Sequence, residues 1–120
     1  MADHNELGKT GEELALEYLE NKGFNILETN WKFGKLEIDI IALTKKHLVI
    51  FEVKTRSTSA FGEPQVFIDR NKQKFLVKAA QSYAERHRIE QEVRFDIISI
   101  IMNTSKFELT HLEDAFYPVL

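Results

Sequence analysis

An α/β fold, with a mixed β-sheet flanked by helices, follows from three features of the 120-residue sequence. Two stretches carry apolar residues at the three- and four-residue spacing of a helix buried on one side, and five others read as strands. Their order is αβββαββ. A long helix after the third strand lets the chain return and pair beside that strand, which makes the sheet mixed.

The first helix runs from Thr10 to about Lys22, with Leu14, Ala15, Tyr18 and Leu19 along one side. Gly23 stands just past its end, where a left-handed residue closes the helix without steric penalty. Phe24 to Trp31 reads as a strand and Gly34 as a turn. Leu36–Leu43 and His47–Lys54 are two β-rich runs joined through Thr44-Lys45-Lys46, most economically a hairpin. From Ser57 to about Ile68 the composition, with Ser57-Thr58-Ser59, Gly62 and Pro64, predicts an irregular, mobile loop. The second helix covers about Arg70 to His87, with Phe75, Leu76, Ala79, Ala80 and Tyr83 on its packing face and Lys74, Lys78 and Gln81 away from it. Phe95–Met102 is apolar on both parities, as in an interior strand, whereas Lys106–Leu112 alternates like an edge strand.

This length suits one domain over residues 1–120, and 43% hydrophobic residues are enough for a packed core without disulfides. With no Cys, a thiolate zinc site and a cysteine nucleophile are excluded, and a cytoplasmic location is the natural expectation. Met1–Glu6 lacks the basic-then-apolar pattern of an export signal, and no apolar run approaches the ~20 residues of a membrane helix, so no membrane partner is expected. Asn103-Thr104-Ser105 matches a glycosylation sequon but reads as a turn. The net charge of −3 argues against a general nucleic-acid coat. Its distribution is uneven: residues 1–23 hold six acids against two lysines, and residues 69–88 hold six basic residues against two acids. Such polarity permits an anionic partner on one side, although solvated helix faces would look the same.

Two carboxylates sit where a core strand should not have them. Asp39 in Ile38-Asp39-Ile40-Ile41 and Glu52 in Phe51-Glu52-Val53-Lys54 are embedded in apolar runs, and burying an unpaired charge is costly enough to require a partner. If the hairpin pairs Leu43 with Leu48, Asp39 lies opposite Glu52 and Glu37 opposite Lys54, with all four on one face. Repulsion between the two acids would be on the order of 4 kcal/mol at about 4 Å and an effective dielectric near 20. Lys54 offsets part of it, and a hard divalent cation held by both carboxylates would offset the rest. The competing reading is a buried ion network of Glu37 or Glu52 with Lys54 that fixes the sheet register and binds nothing. Glu12 borders the apolar stripe of the first helix, where it is either a third inward-looking carboxylate or a first-turn acid favoured by the helix dipole.

These residues also carry a resemblance. Gly8-x-x-Gly11-Glu12-x-x-Ala15-x-x-Tyr18-Leu19, Glu37-Ile38-Asp39-Ile40-Ile41-Ala42, Phe51-Glu52-Val53-Lys54-Thr55-Arg56, Phe61-Gly62, Lys72, Arg94-Phe95-Asp96 and His111-Leu112-x-x-Ala115-Phe116 resemble the bacterial YraN family over nearly the whole chain. At Leu36 the chain departs from the Gly that usually precedes the Glu-x-Asp motif. That family is similar to archaeal Holliday-junction resolvases in the PD-(D/E)XK nuclease superfamily. The resemblance implies a restriction-endonuclease-like three-layer core and a nuclease role on DNA, including branched DNA. It makes Asp39 and Glu52 metal-binding acids, Lys54 the motif lysine and Glu12 the helix acid, with Mg²⁺ or Mn²⁺ as cofactor. Glu37 is a further acid in the same motif.

Thr55 and Arg56, past the end of the active strand, and Lys72 with Gln73, at the start of the second helix, are candidate phosphate contacts, with plain surface solubility as the alternative. Trp31 reads as packing, Asp96 as a structural partner of Arg94, and the four His have no ligand spacing and receive no role. Resolvase-like cutting of two strands needs two active sites, so a homodimer is compatible with this reading although no motif carries it. The reading that competes with an endonuclease is a non-catalytic nucleic-acid-binding or scaffold module that retains the fold.

Overall fold

In the computed structural model, which describes residues 10–57 and 68–116, Thr10 opens helix α1 (Gly11–Asn21) with a capping box. Its hydroxyl accepts the Glu13 N–H at 3.1 Å while Glu13 Oε1 accepts the Thr10 N–H at 3.0 Å, so two donors orphaned by the helix start find partners. Gly23, at φ 92°, stands past the end as expected. Strands β1 (Asn25–Phe33) and β2 (Leu36–Leu43) turn through Gly34 at φ 62°, and β3 (His47–Arg56) follows. Helix α2 (Arg70–Arg86) starts on Asp69, whose carboxylate accepts the Lys72 N–H at 2.8 Å. Strands β4 (Glu92–Asn103) and β5 (Lys106–Leu112) complete the predicted order αβββαββ, and β1 and β4 extend past their predicted bounds. The Asn103 sequon is a turn, with its side-chain oxygen accepting the Ser105 N–H at 2.9 Å. Gly8, Phe61, Gly62 and most of the predicted loop lie outside the described residues.

The five strands form one sheet in the order β1-β2-β3-β4-β5, antiparallel except for β3 and β4. Helix α2 is the crossover that makes this parallel pair, as the sequence predicted. One face packs Ile41, Leu48, Ile50, Phe95 and Ile97 against Leu76, Val77, Ala80 and Tyr83 of α2. The other packs Ile40, Ala42, Val49, Phe51 and Ile98 against Leu14, Ala15 and Leu19 of α1. The result is three layers, α/β/α, consistent with a restriction-endonuclease-like core. One expectation fails on α2. Phe75 is 55% exposed, the sole exposed large hydrophobic among the described residues, because it lies about 100° round the helix from Leu76. Among the described residues, no helix is long and apolar enough to cross a membrane.

Side-chain alternation along β2 breaks at one step. Ile40 and Ala42 belong to the α1 cluster, yet Leu36 and Ile38, of the same parity, pack with the α2 cluster. A regular strand would keep all four on one face. The pairing with β1 shows where the exchange occurs: Thr29 pairs with Ile40 and Trp31 with Ile38, and the step between, Asn30 beside Asp39, is passed over. Asn30 has φ 50°, which reorients β1 at that point. Asp39 is thereby released from both packed faces.

The first helix is held close to β3 by a missing side chain. A Cβ on Gly11 would fall on the Thr55 hydroxyl and within 2.9 Å of Thr55 Cβ, so rotating Thr55 does not relieve the clash. Gly11→Ala should therefore push α1 off the sheet and cost about 1–3 kcal/mol in a urea unfolding experiment, part of which Thr55→Ala restores. Equal stability of Gly11→Ala and the native chain would show that the helix does not sit that close.

Candidate functional site

Strands β2 and β3 pair in the predicted register, from Leu43 with Leu48 to Ile40 with Phe51, and then separate. The further pairs expected from that register, Asp39 with Glu52 and Glu37 with Lys54, do not form; β3 continues to Arg56 paired with β4 instead. What replaces them is a side-chain bond: Asp39 Oδ2 accepts the Val53 N–H at 2.8 Å. A carboxylate thus caps the main-chain donor that a continuing ladder would have used, and Asp39 occupies the gap between the parting strands. Burial pushes the Asp39 carboxyl up to about 6, with the Glu52 and Glu12 charges adding to the rise, against the lowering effects of the Val53 N–H and the Lys72 cation. Three acids therefore share one electrostatic neighbourhood, as the sequence suggested, though not one face.

Glu52 is buried at 7% exposure and follows Leu48 and Ile50 in parity, which places it on the α2 side. Lys54 Nζ lies 3.5 Å from its Oε1, as predicted, and Lys72 Nζ is closer at 2.7 Å. The Asp69 cap fixes the first turn of α2 over the sheet and so sets where Lys72 starts. Lys72 thus serves as the principal counter-charge of Glu52, rather than standing free as a phosphate contact. Asp39 Oδ1 and Glu52 Oε2 make no hydrogen bond among the described residues, and no buried side-chain polar atom there lacks a partner, so neither oxygen is fully sealed from solvent.

Glu12 looks inward, half-buried, from the first turn of α1. The Asn30 amide donates to Glu12 Oε1 at 2.7 Å and to Glu37 Oε1 at 3.2 Å, spending both its hydrogens on carboxylates. Glu37 is therefore tied to Asn30 and Glu12 and not to Lys54, because the reversal at Asp39 ends the regular alternation that would have aligned them. Nothing in the composition of β1 marked Asn30, the residue that organises both acids; only its φ reveals it. Thr55 lies exposed on the α1 side against Gly11, and Arg56 is half-buried at the end of β3.

A second polar cluster has a different character. Asp96 takes both prongs of the Arg94 guanidinium at 2.9 and 2.8 Å, the Asp114 N–H at 3.0 Å and His111 Nε2 at 2.7 Å. Burial alone would raise the Asp96 carboxyl, but these donors outweigh it and hold the group below the usual carboxylate range. Asp96, His111 and Glu113 are the trio of ligand-type side chains whose atoms lie within 4.8 Å of one another among the described residues. Arg94, 3.4 Å from Glu113, already fills that trio with a cation. The expected Arg94–Asp96 bond is present, while His111, to which sequence reasoning gave no role, joins Asp96 to the Tyr18 hydroxyl at 2.9 Å and so ties α1 to β4 and β5. Trp31 packs as expected, edge-on to Tyr83 and stacked on Phe33.

The raised Asp39 pKa has a direct consequence for stability. The folded chain holds the Asp39 proton more tightly than the unfolded chain, so this contribution is complete below about pH 4 and is lost as pH rises through about 6. Asp39→Asn keeps an oxygen for the Val53 N–H and removes the charge. The variant should be more stable than the native chain by about 1–2 kcal/mol at pH 7.5, after allowing for solvent screening, with the gap closing near pH 4. Paired urea melts across this range measure it; a native chain more stable than the variant at pH 7.5 would contradict the electrostatic account.

Residues 11–100 match the protein family described as "Uncharacterised protein family UPF0102". A UPF0102 protein of Flavobacterium psychrophilum is 52% identical over 117 residues, covering 98% of each chain. Another from Christiangramia forsetii is 51% identical over 117 residues, again 98% of each, and one from Bacteroides thetaiotaomicron is 47% identical over 120 residues, with 100% of this chain and 99% of the relative covered. The chain belongs to the UPF0102 family, the YraN family that its motifs resemble.

Proposed function

We propose that this chain is a metal-dependent endonuclease that hydrolyses DNA phosphodiester bonds, with branched DNA as a candidate substrate. The observation that carries the reading is the Asp39 carboxylate held in the gap between β2 and β3, beside Glu52 and with Lys54 two residues further on. Asp39 Oδ1 and Glu52 Oε2 would hold Mg²⁺ or Mn²⁺, and their hard oxygen chemistry and solvent access fit such an ion. A divalent cation bound there supplies Lewis acidity that activates water and stabilises charge on the phosphate. Lys72, at 2.7 Å, is the nearer counter-charge of buried Glu52, and Lys54, at 3.5 Å, is the cationic donor on offer to a phosphate oxygen. Glu12, positioned by Asn30, adds negative charge from the other helix. Asp39 must lose its proton to act as a ligand, so ion binding should weaken as pH falls through about 6.

The Lys72–Glu52 contact at 2.7 Å favours a second reading, a non-catalytic nucleic-acid-binding module whose acids only set the strand geometry. Incubation with linear, flapped and four-way DNA plus Mn²⁺ separates the two. The endonuclease reading expects nicking that falls at least about a hundredfold in Asp39→Asn and in Glu52→Gln, with the larger part of the loss in the rate rather than in DNA affinity. DNA binding with no nicking by the native chain would favour the module; nicking unaffected by Asp39→Asn would reject the assigned site. Two-strand cutting would call for two copies, which sedimentation with and without DNA would reveal.

A further inference from the structure

Phe75 lines two concavities that differ in chemistry. On one side lies an apolar groove of about 380 Å³ lined by Phe33, Gly34, Lys35, Leu36 and Phe75. On the other is a smaller hollow of about 150 Å³, part polar and part apolar, formed by Asn71, Lys74, Phe75 and Lys78. Lys35, Lys74 and Lys78 form no ion pair with any described residue, unlike Lys72, and the helix carries no acid between Arg70 and Ala84. An apolar groove next to a hollow that carries two lysines without ion pairs matches the two halves of one nucleotide, base and phosphate. We propose that this ridge is a subsite for an unpaired nucleotide of a DNA strand, with the base against Phe75 and Phe33 and the phosphate at Lys74 and Lys78.

The proposal takes the identity of its ligand from the nucleic-acid reading above and narrows it to single-stranded or unpaired regions. Its position agrees with that reading. Leu36 is three residues, about 10 Å of strand, from Asp39. Phe75 is three residues along α2 from Lys72, about 4.5 Å of rise, and Lys72 touches Glu52. A strand whose phosphate lies at the acids could therefore reach the ridge within a few nucleotides. A fully paired duplex keeps its base faces stacked inside the helix and offers nothing to an aromatic ridge of this kind. The charge bias matters too: the acidic α1 lies on the opposite face of the sheet, so the favourable approach for a phosphodiester chain is along α2.

The test measures fluorescence anisotropy of a labelled single-stranded oligonucleotide and of the matching blunt duplex with the full chain, in EDTA, at about 50 mM salt. The native chain should prefer the single strand. Phe75→Ala, at an exposed position that leaves the core intact, should weaken single-strand binding about tenfold and duplex binding less, while Phe75→Trp should retain it. Lys74→Ala combined with Lys78→Ala should weaken binding and lower the slope of log affinity against log salt by about 1.4. Single-strand affinity that is absent in the native chain or unchanged in Phe75→Ala overturns the subsite. So does a Phe75-dependent dimer in sedimentation with DNA affinity unaltered, which would make the ridge a contact between two copies. Because EDTA removes hydrolysis from the binding measurement, Phe75-dependent binding together with no nicking in the separate Mn²⁺ incubation supports the subsite and rejects only the catalytic reading. Asp39-dependent nicking with indifferent Phe75 rejects only the subsite.

Discussion

The hydrogen bond from the Val53 N–H to the Asp39 carboxylate is the constraint on which the site depends. It ends the β2–β3 ladder with the Val53 donor answered, so the two strands part inside the sheet without orphaning that amide. The gap so made is wide enough for a side chain and close to solvent. Burial in that gap raises the proton affinity of Asp39, and the Glu52 and Glu12 charges add to the rise, while the capping Val53 N–H opposes it. Strand divergence, burial and acid clustering are thus aspects of one local geometry.

Supporting elements act on that geometry from both faces. From the α1 side, Gly11 permits a close approach, Glu12 projects toward Asn30, and Asn30 at positive φ breaks the alternation of β1 beside Asp39. From the α2 side, the Asp69 cap sets the first turn and Lys72 neutralises Glu52. Asp96 and its donors lie apart from this arrangement. Their bonds are saturated, and they fasten α1, β4 and β5 together instead of leaving charge available to a ligand.

Much of this was legible in the residues. The helix periods, the order of strands, the Leu43–Leu48 register and the presence of Asp39, Glu52 and Lys54 near one another follow from apolar spacing and from carboxylates embedded in core strands. Glu37 was misplaced because a register extrapolated from a turn assumes unbroken alternation, and the irregular step at Asn30 and Asp39 breaks it. Phe75 was misplaced because an apolar residue at the border of a helical stripe is equally consistent with packing and with exposure. Lys72 and His111 found their partners across 20 and 15 residues of sequence, through contacts that no local spacing encodes.

The most direct measurement is a carbon-13 NMR titration of the Asp39 carboxyl carbon, with Asp39→Asn used for assignment, in the absence and presence of Mg²⁺. The account predicts a midpoint near 6 without the ion, in keeping with a buried acid beside Glu52 and Glu12, and a clear fall when Mg²⁺ is added. A midpoint near the ordinary aspartate value of about 4, unmoved by Mg²⁺, would contradict both the crowding of the acids and their capacity to hold a cation.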